Sequence, residues 1–186
     1  NERCIGKGGE ICAKPTHVYA AFYGDLVKVG MTLSTRFMER AIEQGADAIA
    51  RLGTYPNRRA ARDADNIYSK ALSATQWVRK ATFLKAQVSI RDRETYKERL
   101  DALFSSLDGV ATDPGELTML DGYPLLPYDP SKASFAEVAG RHRGEVLGAK
   151  GKWLFYRLRD ERTMMLDMSS VPSRYATFGL ANLNKP

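Results

Sequence analysis

The stretch His17–Gly45, HVYAAFYGDLVKVGMTLSTRFMERAIEQG, carries the clearest hydrophobic pattern in the chain. Val18, Ala20 and Phe22 alternate with Tyr19, Ala21 and Tyr23, the period-2 signature of a strand with two distinct faces. Gly24-Asp25 supplies turn chemistry, and Leu26, Val27 and Val29 resume the apolar run, which predicts a hairpin. Gly30 ends the second strand where a side chain would block close approach. Thr32, Ser34 and Thr35 are each able to cap the helix that follows. The apolar stripe of that helix is Phe37, Met38, Ala41 and Ile42, and Gly45 is its natural stop. Residues 46–55 alternate again and predict a third strand, broken at Pro56-Asn57, where Asn57 can cap a second helix. Ala60, Ala61, Ala64, Ile67, Tyr68, Ala71 and Leu72 form its stripe, and at 100° per residue Arg58, Asp65 and Ser69 share one flank, with Arg62 slightly further round.

Downstream the pattern weakens and then returns. Residues 74–90 interleave Trp77, Lys80, Phe83, Leu84 and Lys85 and fit either a basic-aromatic surface or core. Asp92–Leu107 reads as an amphipathic helix on Tyr96, Leu100, Leu103, Phe104 and Leu107, with Gly109 as its stop and an outer face of paired charges. Residues 109–134 hold Pro114, Pro124, Pro127 and Pro130 and read as a connection. Short strand-like runs then recur at Glu145–Ala149, Trp153–Leu158, Thr163–Met168 and Tyr175–Leu180. The predicted organisation is an arm at 1–16, an α/β core at 17–108, a connection at 109–134 and a β-rich subdomain at 135–186. The fold class is α+β: a three-stranded, mainly antiparallel sheet with flanking helices, followed by the small β-rich C-terminal subdomain.

Composition narrows the partners. The 186 residues, 44% hydrophobic, suffice for a real core, and 28 basic against 22 acidic residues give +6 and a pI near 9.3. That balance favours a polyanionic partner such as DNA or RNA. The part around Arg141, His142, Arg143, Lys150, Lys152, Arg157, Arg159, Arg162 and Arg174 is conspicuously basic and fits either a nucleic-acid surface or a lid sheet. No apolar run approaches a membrane span and no signal-peptide pattern is present, so the expectation is a cytoplasmic protein that does not enter a membrane. The chain begins at Asn1 rather than Met, which leaves room for residues upstream. No pattern sets the oligomeric state. With His17 and His142 the only histidines, a hydrolase triad has little to draw on, and neither G-x-G-x-x-G nor a Walker loop is present. Cys4 and Cys12 are too few for a disulfide scaffold; they are either ordinary thiols or half of a tetrahedral zinc site.

His17-Val18-Tyr19 and Lys28-Val29-Gly30, followed by Arg36 and Arg40 on a helix, resemble the two triplets and the arginine of GIY-YIG nucleases over roughly the first 75 residues. More closely, the chain is similar to an uncharacterised prokaryotic family distantly related to that superfamily. That family reads H-x-V-Y, K-V-G-x-T, R, E-Q-G-A and P-N-R. These pieces stand here as His17–Tyr19, one residue shorter, then Lys28–Thr32, Arg40, Glu43–Ala46 and Pro56–Arg58. The resemblance implies Tyr19 as the first tyrosine, assisting proton transfer, and Arg40 or Arg36 on the scissile phosphate. Lys28 stands where a second tyrosine is usual, and Asp65 where a glutamate holds Mg²⁺ or Mn²⁺. Thr32, Arg58 and Arg62 are further phosphate candidates. Relatives with more cysteines ahead of the hairpin keep the zinc reading of Cys4 and Cys12 open. A lysine ammonium, with a reference pKa near ~10.4, is no base at pH 7 unless heavily desolvated; otherwise it neutralises a phosphate oxygen. Two functions follow: a divalent-metal nuclease acting on DNA or structured RNA, or a non-catalytic nucleic-acid-binding protein that retains the phosphate pocket.

Overall fold

In the computed structural model, which describes residues 9–107 and 114–171, the alternating stretch is a hairpin at the heart of a sheet. A single helical turn, α1 (Gly9–Cys12), stands in the expected N-terminal arm and leads into β1 (Thr16–Tyr23) and β2 (Leu26–Leu33). A 3-10 turn at Ser34–Arg36 then enters α2 (Phe37–Gln44), followed by β3 (Ala48–Tyr55) and α3 (Arg58–Ala71). Next come α4 (Lys80–Gln87), α5 (Arg93–Ser106) and the two-residue β4 (Thr118–Met119). The second sheet is built from β5 (Ala133–Phe135), β6 (Glu145–Lys150), β7 (Trp153–Arg157) and β8 (Thr163–Asp167). The chain divides into two compact units: one of residues through Ile42 with Ala46–Asp121, the other of Glu43–Gly45 with Gly122 onward.

The first unit is α+β, with a four-stranded antiparallel sheet in the order β2-β1-β3-β4. The sequence reading expected three strands. The fourth comes from the proline-containing connection, where Thr118 and Met119 pair with Ile49 and Ala48 and cover the outer edge of β3. Being internal, β1 is covered on both faces, and seven of its eight residues are buried. Val18, Ala20 and Phe22 join Val29, Ala50, Leu52, Ala61, Ala64, Tyr68, Tyr96 and Leu100 in one core under α3 and α5. On the other face Tyr19 meets Phe37 of α2, and Tyr23 meets Phe83 of α4.

The cap expected at Asn57 forms, and Asp92, for which no capping role was expected, supplies another. Asn57 accepts from the Ala60 amide at 2.9 Å and Asp92 from the Thr95 amide at 2.8 Å, each satisfying an orphan donor of a first turn. Ahead of α2, however, the 3-10 turn opens at Leu33 with no side-chain cap, because Thr32 is still in β2. Within α2 only Ala41 of the expected stripe is buried; Met38 and Ile42 are exposed. Gly45 ends it with φ +71°.

The hairpin tip is held by long-range polar contacts. Gly24 has φ +52°, and a Cβ there would sit 2.3 Å from the Ala86 carbonyl oxygen, so only glycine fits. The buried Asp47 carboxylate accepts from the Gly24 amide at 2.6 Å and from the Tyr96 hydroxyl at 3.0 Å. Arg91 grips Asp25 through two hydrogen bonds at 2.9 and 3.0 Å, and Arg99 donates to the Gly24 carbonyl at 2.7 Å. These arginines tie α5 and its approach to the hairpin.

The second unit carries a sheet in the order β5-β8-β7-β6, with β5 parallel to β8 and the other pairs antiparallel. Its core sets Tyr128 against Phe155 and Phe135 against Trp153 in tilted ring contacts, centroids 5.0 and 5.8 Å apart. Three of the four expected strand runs are present within a residue or two of their expected ends; Tyr175–Leu180 lies outside the described residues.

Candidate functional site

The site is built on β2, an edge strand of the first sheet. Residues directly opposite in an antiparallel pair share a face, so Lys28, Gly30 and Thr32 lie beside Ala21, Tyr19 and His17. Gly30 is small because Tyr19 lies against it: a Cβ would stand 3.0 Å from the tyrosine Cζ and hydroxyl oxygen. Phe37 meets both Tyr19 and His17 edge-on, at centroid distances of 6.1 and 5.5 Å. Tyr19 is 1% exposed, so its ring is a fixed part of the packing.

A second element closes on the outer side of β2. After α3 the chain turns through Ser73, at φ +47°, and Thr75 bridges to Lys28, its carbonyl accepting from the Val29 amide at 3.1 Å. The next residue, Gln76, points its amide into α3, where Nε2 donates to Asp65 Oδ2 at 3.0 Å and reaches Ser69 Oγ at 3.3 Å. The other carboxylate oxygen, Asp65 Oδ1, is buried and meets no hydrogen-bond partner among the described residues. An unpaired buried carboxylate oxygen costs free energy and invites a ligand.

Charge joins Asp65 to the strand. Burial raises the Asp65 carboxyl above its ordinary range, opposed by the positive charges of Arg62, one turn earlier on α3, and of Lys28. Burial lowers the Lys28 ammonium to about 8; Arg40 repels its charge and pushes the same way, while Asp65 opposes the shift. Lys28, Arg40 and Asp65 therefore form one electrostatic cluster.

The predicted residues separate into those this cluster gathers and those it does not. Arg40 lies one turn after Phe37 on α2, which packs on the Tyr19 face of the sheet; Asp65 and Arg62 belong to α3 on the Val18 face. Lys28, on the edge strand, feels both. Arg36 is exposed and paired with Glu39 through two hydrogen bonds at 2.8 and 2.9 Å. Thr32 is buried in the ladder opposite His17, and Arg58 is exposed in the first turn of α3. Cys12 ends α1 and Cys4 lies outside the described residues. The α3 stripe also differs from expectation. Ile67 is 51% exposed whereas Asp65 is 7% exposed, because the helix turns its 61-64-65-68 face, not its 60-67 face, to the sheet. Sequence reasoning missed Thr75 and Gln76, whose only signal is two polar residues after a helix stop.

Part of the basic charge of the second unit is paired with acids of the same unit. Lys152 bonds Asp167 at 2.8 Å, Arg162 bonds Asp160 at 2.8 Å, and Arg157 lies 3.5 Å from Glu145 and 3.9 Å from Glu161. Lys150 is buried with its ammonium 5.6 Å from the Tyr123 ring centroid. Arg174 lies outside the described residues.

No described helix is long and apolar enough to cross a membrane. Neither a curated protein nor a solved structure matches the chain. One family model does, over residues 3–171; its description is "Protein of unknown function (DUF2797)".

Proposed function

The chain belongs to the DUF2797 family, and within it we propose a divalent-metal-dependent phosphodiester hydrolase that acts on nucleic acid at the Lys28–Arg40–Asp65 cluster. The observation that carries this reading is the cluster itself: three residues singled out by the resemblance to GIY-YIG nucleases come from a strand and two different helices, and the charges of Arg40 and Asp65 both act on Lys28. The hairpin followed by a helix in the first unit is also the order that resemblance implies.

The residues fit a hard cation. Asp65 offers a buried, unpartnered carboxylate oxygen on a helix, and Mg²⁺ characteristically binds through one or two carboxylates, completing its shell with waters and substrate phosphates. Such an ion supplies charge neutralisation at the phosphate and a more acidic bound water. The chain supplies the rest. Arg40 and Arg62 bind and orient phosphate oxygens. With a pKa of about 8, roughly a tenth of Lys28 is neutral at pH 7, so its Nζ is able to accept a proton from the attacking water. Tyr19, packed between Gly30 and Phe37, holds β2 in place; in this reading the proton handling falls to Lys28.

The burial of Tyr19 specifically favours a second reading, a binding protein without turnover, since a buried phenol is poorly placed to meet substrate. Incubation with supercoiled plasmid and with total tRNA, in Mg²⁺ or Mn²⁺ and then in EDTA, separates the two. Nicking or cleavage that EDTA abolishes is the expected result. Binding that survives EDTA without cleavage transfers the site to the second reading, and no binding of either nucleic acid overturns both.

A further inference from the structure

Next to Gln76, whose side chain is turned inward to Asp65, Trp77 is turned outward and is 81% exposed. An indole is among the costliest groups to leave in water, and here the surrounding chain holds it there. The Thr75 hydroxyl donates to the Trp77 carbonyl at 2.7 Å and accepts from the Trp77 amide at 3.1 Å, a tight local clamp on the backbone. Thr75 in turn bridges to Lys28. The ring is thus presented two residues from the strand contact and one residue from the carboxylate contact of the phosphate cluster. Exposed Arg79 and Lys80 follow it at the start of α4.

A solvent-exposed indole on a hydrogen-bonded backbone beside cationic groups is the arrangement that stacks on a nucleobase while its phosphates are neutralised. In a duplex the base faces are covered by their neighbours, so only an unpaired or splayed-out base has a face to offer. We infer that Trp77 is a stacking platform for an unpaired nucleobase flanking the phosphate held at Lys28 and Arg40, which makes single-stranded or locally opened nucleic acid the preferred substrate class. This inference rests on the phosphate-site reading above.

The full-length chain in EDTA is titrated with a short oligothymidylate and, separately, with a duplex of equal length. Tryptophan emission and the anisotropy of a labelled strand are both read. Trp153 is buried in the second unit, so emission that responds to the single strand and is lost in Trp77→Phe belongs to Trp77. Quenching by oligothymidylate is expected. Trp77→Ala should weaken single-strand binding by about 5- to 150-fold, the range for one base–aromatic stack, with Trp77→Phe losing less and duplex affinity unchanged. Unmoved emission at saturating single strand overturns the inference, as does undiminished single-strand affinity in Trp77→Ala or an equal loss for both nucleic acids. In each of those cases, binding that Arg40→Ala weakens leaves the phosphate-site reading standing. Failure of wild type to bind either strand overturns the phosphate site and the platform together.

Discussion

Gln76 Nε2 donates to Asp65 Oδ2 at 3.0 Å and by doing so leaves the other oxygen of the same carboxylate buried and unpaired. One amide satisfies half of an acid that the helix has turned into the protein, and the remaining half is aimed at nothing the described residues supply. Structures rarely leave a buried acceptor without a partner, and those that do concentrate such groups where a ligand binds. The pair is therefore both a cost to the fold and the reason to place chemistry here.

The cost is measurable as stability. Asp65 has a raised pKa, so between the ordinary carboxylate value and the raised one the native chain holds a proton that the unfolded chain has lost. Stability therefore declines as pH rises through that window, and the penalty is fully present above it. Asp65→Asn removes the charge and should raise unfolding stability at neutral pH by about 1 kcal/mol. It should also flatten the decline. Urea unfolding of both proteins across a pH series is the check; parallel curves would show that the acid is not strained in the native state.

Metal binding should act on the same residue. A cation that binds only the native chain stabilises it in proportion to RT ln(1 + [L]/Kd), so Mg²⁺ or Mn²⁺ is expected to raise the melting temperature of wild type. Asp65→Asn should lose that rise while keeping its fold, and cleavage should vanish with it. An Asp65→Asn protein that still melts higher with Mg²⁺ would move the cation elsewhere.

How much of this was legible depends on whether the deciding interaction is local. The hairpin, the Asn57 cap and the α5 stripe rest on neighbouring residues, and the sequence pattern predicted them. Strand β4 was not legible, because two residues of a proline-containing connection become a strand only where the open edge of β3 receives them. The buried face of α3 was misjudged by its hydrophobicity. Ile67 is outward and Asp65 inward because Ala61, Ala64 and Tyr68 pack on the sheet, and Gln76, from beyond the helix end, meets the carboxylate this turns inward. Lys28 could be named as a departure from a tyrosine, but its titration depends on Arg40 and Asp65, which only the tertiary fold brings near.

Arg40 and Arg36 should separate cleanly in a salt titration. Binding through phosphates loses affinity with salt in proportion to the counterions released, with a slope of about −0.9 per phosphate on duplex DNA. Arg40→Ala should weaken binding to all sequences alike and reduce the slope by about one. Arg36→Ala, which removes a residue already bonded to Glu39, should change the slope little. The converse result would assign the phosphate to Arg36.

The titration of Lys28 ties the three charged groups together, and each substitution has its own sign. The ammonium is lowered from 10.5 to about 8, so between those values the unfolded chain holds a proton that the native chain has released. Stability from this group therefore rises with pH across that window and is lowest below it, where the charged form is buried; at about 1.4 kcal/mol per pKa unit the difference is about 3 kcal/mol at most. Removing the repulsion in Arg40→Ala should raise the Lys28 pKa, whereas removing the opposing acid in Asp65→Asn should lower it further. NMR of the Lys28 ε-methylene against pH follows both shifts directly, independent of any activity. In wild type, cleavage should climb with pH to a midpoint near the same value, about 8, as neutral Nζ accumulates, and Lys28→Arg should abolish that climb because a guanidinium stays charged. If the NMR midpoint moves as expected while the rate profile ignores it, Lys28 neutralises phosphate and the base lies elsewhere. If neither substitution moves the midpoint, the cluster is not coupled and the reading built on it falls.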